Sequence, residues 1–243
     1  MHRALAHFRL GPMNLVISIS LFVFFSSIWL VLLPRFCRLW SRIFLWALSW
    51  LPLDARLELV EHQFRMFRLQ IPCFRMEPVL PSLQIWLLTA GLTALLFAAT
   101  FLLSKSQTPI IYLLRGVLLL QGTALAYFAI WPLRFPHTPD SYMEALMTAG
   151  IGLISVVPFL FGLTYYIFDF GLLKKAFLTA LTMTYLALFL PFQVLLQALI
   201  LQKTVLFMPL LYIIFGMPVS VLLIIAFYSW GMTWQFRPAR ASR

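Results

Sequence analysis

Residues 14–33 read NLVISISLFVFFSSIWLVLL, twenty consecutive positions without a charged side chain. A helix rises about 1.5 Å per residue, so roughly 20 such residues cover the roughly 30 Å hydrocarbon core of a bilayer. A soluble core needs no apolar run of that length, and the stretch therefore reads as a transmembrane helix. It follows a basic segment holding Arg3 and Arg9, which gives it the look of a signal peptide. Its apolar core exceeds the roughly 7–15 residues of a cleavable signal and no small-residue cleavage site follows, so the run reads as a retained first span.

Working outward, residues 83–103, 109–133, 145–168, 176–200 and 204–228 repeat the pattern, with links too short for a soluble domain. The expectation is an all-α, polytopic helical membrane protein of about six transmembrane helices, with residues 1–243 forming a single membrane domain. Composition agrees: 63% of residues are hydrophobic, only 10% are charged, and the mean hydropathy is +0.95.

One connection is long, residues 34–82. Within it Arg35, Arg38 and Arg42 fall at i, i+3 and i+7 on one helical face, among Trp40, Phe44, Trp46 and Trp50. Such a segment is expected to lie in the headgroup plane, its arginines on anionic lipid. Pro52 and Asp54 then punctuate the chain, Asp54 as a helix cap. A second amphipathic helix is expected after it, with Leu57, Val60, Phe64 and Phe67 on one face and the i,i+4 pairs Glu58/His62 and Glu61/Arg65 on the other. Residues 69–76 alternate imperfectly around Pro72 and read as a short extended segment running into Pro78 and Pro81.

The formal charge of +11 is no nucleic-acid footprint, because the basic residues sit beside apolar runs rather than in a basic domain with interleaved aromatics. Anionic headgroups are the expected partner, each nearby Lys or Arg contributing on the order of 1 kcal/mol. Asn14 is the sole asparagine and opens no glycosylation sequon, which fits a bacterial cytoplasmic (inner) membrane. Eight basic residues fall on the side of the termini and nine on the other, too even to fix orientation. The clusters hugging the span ends favour both termini in the cytoplasm.

Several groups are candidates for chemistry or contact. Residues 134–144 are the densest titratable segment near a surface, and His137 with Asp140 could serve acid–base chemistry on a lipid-linked substrate. The structural alternative is stronger: Ser141 to Glu144 fit a capping box opening the fourth span, and Pro136 and Pro139 stiffen the turn, leaving His137 and Asp140 without a structural duty. Arg115 lies inside the third span, where it can snorkel or pair with Asp169 at the end of the fourth. Gln193 and Gln197, at i and i+4 in the fifth span after Pro191, are expected to bond a neighbouring helix or another subunit. Pro158, Pro191, Pro209 and Pro218 mark kinks in the last three spans. Ala145, Ala149, Gly150 and Gly152 form a small-residue stripe for a closely packed helix.

Cys37 and Cys73 read equally as a disulfide tying the long connection together or as two buried thiols. No CxxC pattern or histidine spacing suggests a metal, and no cofactor is expected. No carboxylate or histidine is expected near the bilayer midplane, which disfavours an ion-coupled carrier and leaves a passive lipid or small-solute path open. An interfacial enzyme remains a second reading. The leading expectation is a non-catalytic subunit or assembly factor with other membrane subunits as partners.

Overall fold

The protein is described by a computed structural model covering residues 12–64, 67–103, 108–167 and 171–233. In chain order it comprises α1 (Pro12–Trp50), the strands β1 (Arg56–Phe64) and β2 (Phe67–Arg75), α2 (Leu83–Ala99), α3 (Thr108–Ile130), α4 (Pro139–Ile167), α5 (Leu172–Leu201), a short α6 (Met208–Leu210) and α7 (Met217–Thr233). Among the described residues, five helical segments are long and apolar enough to cross a membrane: those within α1, α3, α4 and α5, and the stretch Val205–Thr233. The chain is thus an integral membrane protein by helix length and composition.

Helix α1 differs from the expected span plus separate interfacial helix. It runs unbroken for 39 residues, about 58 Å of axis. The buried stripe explains the continuity: Phe25, Trp29, Leu33, Cys37, Trp40, Phe44 and Ala47 recur at three- and four-residue steps straight through Pro34. Arg35, Arg38 and Arg42 all lie exposed on the opposite face. They interrupt the apolar run in sequence without interrupting the packed face. Trp29 Nε1 donates to Ser155 Oγ at 2.8 Å and Trp40 Nε1 to the Ala187 carbonyl at 2.8 Å, fixing α1 against α4 and α5.

The second expected amphipathic helix is instead a β-hairpin. Strand β1 pairs antiparallel with β2, with Arg56 opposite Arg75, Glu58 opposite Cys73 and Val60 opposite Ile71. The Glu58/His62 pair read there gives way to cross-strand partners, Glu58 with Arg75 and Glu61 with Arg68, while Arg65 of the second pair lies outside the described residues. The extended reading of residues 69–76 agrees with β2. That strand packs on both α1 and α4, with Leu69, Ile71, Cys73 and Phe74 buried and the Phe74 ring 4.7 Å from that of Phe44.

The other spans shift at their ends. Helix α2 stops at Ala99, and its 17 residues give about 26 Å, a few Å short of the slab. None of its residues is buried, and it leans on α3, where Trp86 Nε1 donates to the Leu125 carbonyl at 3.0 Å. Helix α3 ends before Pro132, whose ring forbids continuation. The last span is not one α-helix: a 3₁₀ turn (Val205–Phe207), α6, a π-turn (Leu211–Phe215) and Gly216 precede α7. Pro209 and Pro218 each remove a backbone donor, and a Cβ at Gly216 would lie 2.4 Å from the Tyr212 carbonyl oxygen, so only glycine fits.

Candidate functional site

The end of α5 and the long connection meet at one end of the bundle. Asp54 N donates to Gln202 Oε1 at 3.3 Å and Val205 N to the Val79 carbonyl at 2.9 Å. The start of α4 joins them there, and its first two turns carry three separate sets of polar contacts.

The first set faces the hairpin. Asp140 accepts from Met76 N at 2.7 Å and lies 3.6 Å from Arg75, which also bonds Glu58 across the strands. One turn further, Glu144 Oε1 sits 3.3 Å from His62 Nε2, an ion pair once the imidazole is protonated though without hydrogen-bond alignment. Hydrogen bonding to Glu58 raises the Arg75 guanidinium above its ordinary value. Burial pushes the Cys73 thiol up to about 12, with Glu144 adding to the rise and Arg75 opposing it. A thiol held so firmly protonated is no nucleophile at neutral pH. Cys37 and Cys73 are both buried free thiols, without the disulfide that the sequence left open.

This arrangement corrects two sequence readings. Asp140 has a structural duty after all, tying α4 to the strand end. The capping box is displaced by three residues: Thr138 Oγ1 accepts from Ser141 N at 3.3 Å, and Ser141 Oγ accepts from Thr138 N at 3.2 Å. Glu144 is released from the cap and turns to His62.

The second set is a cavity of about 530 Å³ between α4 and the broken last span. Its polar rim is His137 and Ser141. Tyr142 and Ala145 of α4 form one wall, and Met208, Pro209, Tyr212 and Ile213 the other. The His137 ring stands edge-on to Phe135, 5.9 Å away, and its side chain is exposed. His137 and Asp140, paired in the sequence reading, are therefore directed to different surroundings, the cavity and the hairpin.

The third set lies behind that cavity. The Tyr142 hydroxyl donates to Gln197 Oε1, and Gln197 Nε2 donates to the Phe215 carbonyl at 2.6 Å. Gln193 Nε2 donates to the same carbonyl and to that of Gly216 at 2.9 Å, while its Oε1 accepts from Ser220 at 3.3 Å. The carbonyls freed by the break are thus captured by side-chain amides within the chain, as membrane burial requires.

The remaining candidates sit elsewhere. Arg115 Nε donates to Thr100 Oγ1 at 2.9 Å and its guanidinium lies 4.3 Å over the Phe101 ring, closing the α2 end. Asp169, its expected partner, lies outside the described residues. Lys175 is 1% exposed and its Nζ donates to the Tyr165 carbonyl at 3.0 Å. A Cβ at Gly150 would press on buried Leu190, whereas one at Gly152 meets nothing within 4 Å, so the internal close approach is at Gly150 and Gly152 faces outward. Among the described residues no group of His, Cys, Asp or Glu could hold a metal ion. Neither a protein-family model, a curated protein nor a solved structure matches the chain.

Proposed function

We propose that the protein is a non-catalytic integral membrane subunit or assembly factor of a larger membrane complex, in a bacterial cytoplasmic membrane with both termini on the cytoplasmic side. The observation that supports this reading is the far end of α1. A spanning helix needs about 20 residues, yet α1 continues past Pro34 and presents Leu45, Trp46 and Trp50 exposed, with Trp50 at 75%. Trp50 lies about 24 Å along the axis from Pro34. Exposed tryptophans on a rigid element, beyond a row of arginines, suit a protein partner, since Trp and Arg dominate interface energetics. An interfacial enzyme has less support, because Asp140 is bound to the hairpin and Cys73 is held protonated.

The experiment is purification of the tagged protein from its native membrane in mild detergent, beside a Trp46→Ala/Trp50→Ala variant. A partner present in fixed ratio with the parent protein and lost from the variant is the expected result. A homogeneous single species from the native membrane would overturn the reading.

A further inference from the structure

The cavity between α4 and the last span is amphipathic along its length. At the charged end of the bundle its rim is His137 and Ser141, beside the hairpin contacts of Asp140 and Glu144. Ala145, Met208, Pro209 and Ile213 supply apolar lining. Tyr212 and Ile213 are exposed at 63% and 50%, on a segment apolar enough to cross the membrane, so this wall opens sideways toward lipid.

The cavity follows from the chain's local structure. The turns around Pro209 and the π-turn interrupt the last span opposite Ala145, a small residue, and Gln193 and Gln197 hold that irregular backbone in place. Its volume of about 530 Å³ lies within the roughly 300–1,000 Å³ of ligand pockets, and its mostly apolar walls with few polar groups have the same character. A stably held water needs two to four polar partners. Below the rim the walls provide the Tyr142 hydroxyl, already donating to Gln197, and the Tyr212 hydroxyl.

We propose that this cavity is a binding site for one hydrocarbon chain of a membrane phospholipid, which enters past Tyr212 and Ile213 and leaves its headgroup at the His137 rim. The bound chain would lie against Tyr142 and the Met208 to Ile213 wall, replacing cavity surface with methylene contacts. The site is independent of the subunit reading, since it faces the bilayer rather than the Trp46 and Trp50 face.

The test uses the full-length protein in phospholipid nanodiscs containing a phosphatidylcholine with a diazirine at mid-chain, irradiated and mapped by peptide mass spectrometry. Leu88 and Leu113, exposed on α2 and α3, report ordinary annular lipid. The expected result is adduct yield on residues 142–145 and 208–213 above that at Leu88 and Leu113. Ala145→Trp, which fills the cavity, should abolish that excess and leave the annular yield unchanged. Ile213→Trp narrows the mouth from the other wall and guards against a folding defect in the first variant, each being checked by gel filtration and helicity. A diazirine placed at the headgroup should move the adducts to residues 135–141. Yield equal to that at Leu88 and Leu113, or an excess that survives both folded tryptophan variants, overturns the proposal, and headgroup adducts at residues 208–213 overturn its orientation.

Discussion

Replacing Gln193 and Gln197 with leucine, singly and together, tests whether the break in the last span is held by these two amides. The Phe215 carbonyl accepts from both amides, whereas of the two only Gln193 donates to the Gly216 carbonyl. Gln193→Leu therefore removes the amide donor to Gly216 and the acceptor of Ser220, but Phe215 keeps Gln197. Gln197→Leu strands the Tyr142 hydroxyl, but Phe215 keeps Gln193. Interhelical hydrogen bonds in membranes contribute about 0.6 kcal/mol on average and up to about 1.7. With two or three bonds lost, each single variant should cost about 1–3 kcal/mol. Only the double variant leaves the Phe215 carbonyl with neither amide donor, and a buried unpaired carbonyl costs about 1–3 kcal/mol. The double variant should thus be less stable than the sum of the singles by about 1–3 kcal/mol, well outside the roughly 0.3–0.5 kcal/mol scatter of independent sites. Reversible unfolding in mixed micelles of rising SDS fraction, followed by circular dichroism, measures all four corners of the cycle. Additivity within that scatter would refute the shared-carbonyl account, and so would a double variant as stable as the parent.

Other consequences are separable. Gly216→Ala should lower the same unfolding midpoint because its Cβ meets Tyr212 backbone, while Gly152→Ala should leave it within about 0.5 kcal/mol. In a Cys37→Ala background, Cys73 should alkylate at pH 8 about a thousandfold more slowly folded than unfolded from its thiolate fraction alone, given a shift from 9.0 to about 12. Burial favours the protonated thiol, so the stability Cys73 contributes is complete below pH 9 and is lost as pH rises toward about 12. A Cys73→Ala variant measured over that window should lack that part of the decline. Asp140→Ala should loosen the hairpin and raise amide exchange at Met76, whereas His137→Ala should leave that exchange unchanged.

Length and hydropathy were enough to place most of the long helices, because a bilayer imposes one requirement on every span. The hairpin was legible only in part, residues 69–76 reading as extended and the β1 region as a helix, for identifiable reasons. Strand β2 is covered by α1 on one side and α4 on the other, so Leu69, Ile71, Pro72, Cys73 and Phe74 are all buried and the alternation of a half-buried strand is erased. Strand β1 is the open edge, and its Leu57, Val60 and Phe64 happen to fit a helical face as well. The cross-strand charges Glu58/Arg75 and Glu61/Arg68 were the available signal. In α1 the error was to treat Arg35, Arg38 and Arg42 as a boundary, although the apolar stripe on the opposite face kept its spacing through Pro34. The amide pair at Gln193 and Gln197 stood out in sequence, but nothing there connects it to a break twenty residues later in another helix.

The first two turns of α4 explain why the charged end of this protein is better braced than its α2 edge. Asp140 and Glu144 engage the hairpin, Tyr142 engages Gln197, and Thr138 with Ser141 closes the cap, so every face of these turns but the one toward the cavity is committed. A rotation or slide of α4 by one residue, about 100° and 1.5 Å, would break the contacts of Asp140, Glu144 and Tyr142 with the other elements together. Helix α2 is the opposite case, with no buried residue and an end secured chiefly by Arg115 and Thr100. Local opening free energies follow the density of such contacts, so α2 should exchange its backbone amides well before α4 does. A partner that covered α2 would reverse that order, which makes the exchange ranking in native membrane against detergent a direct measure of what this helix touches.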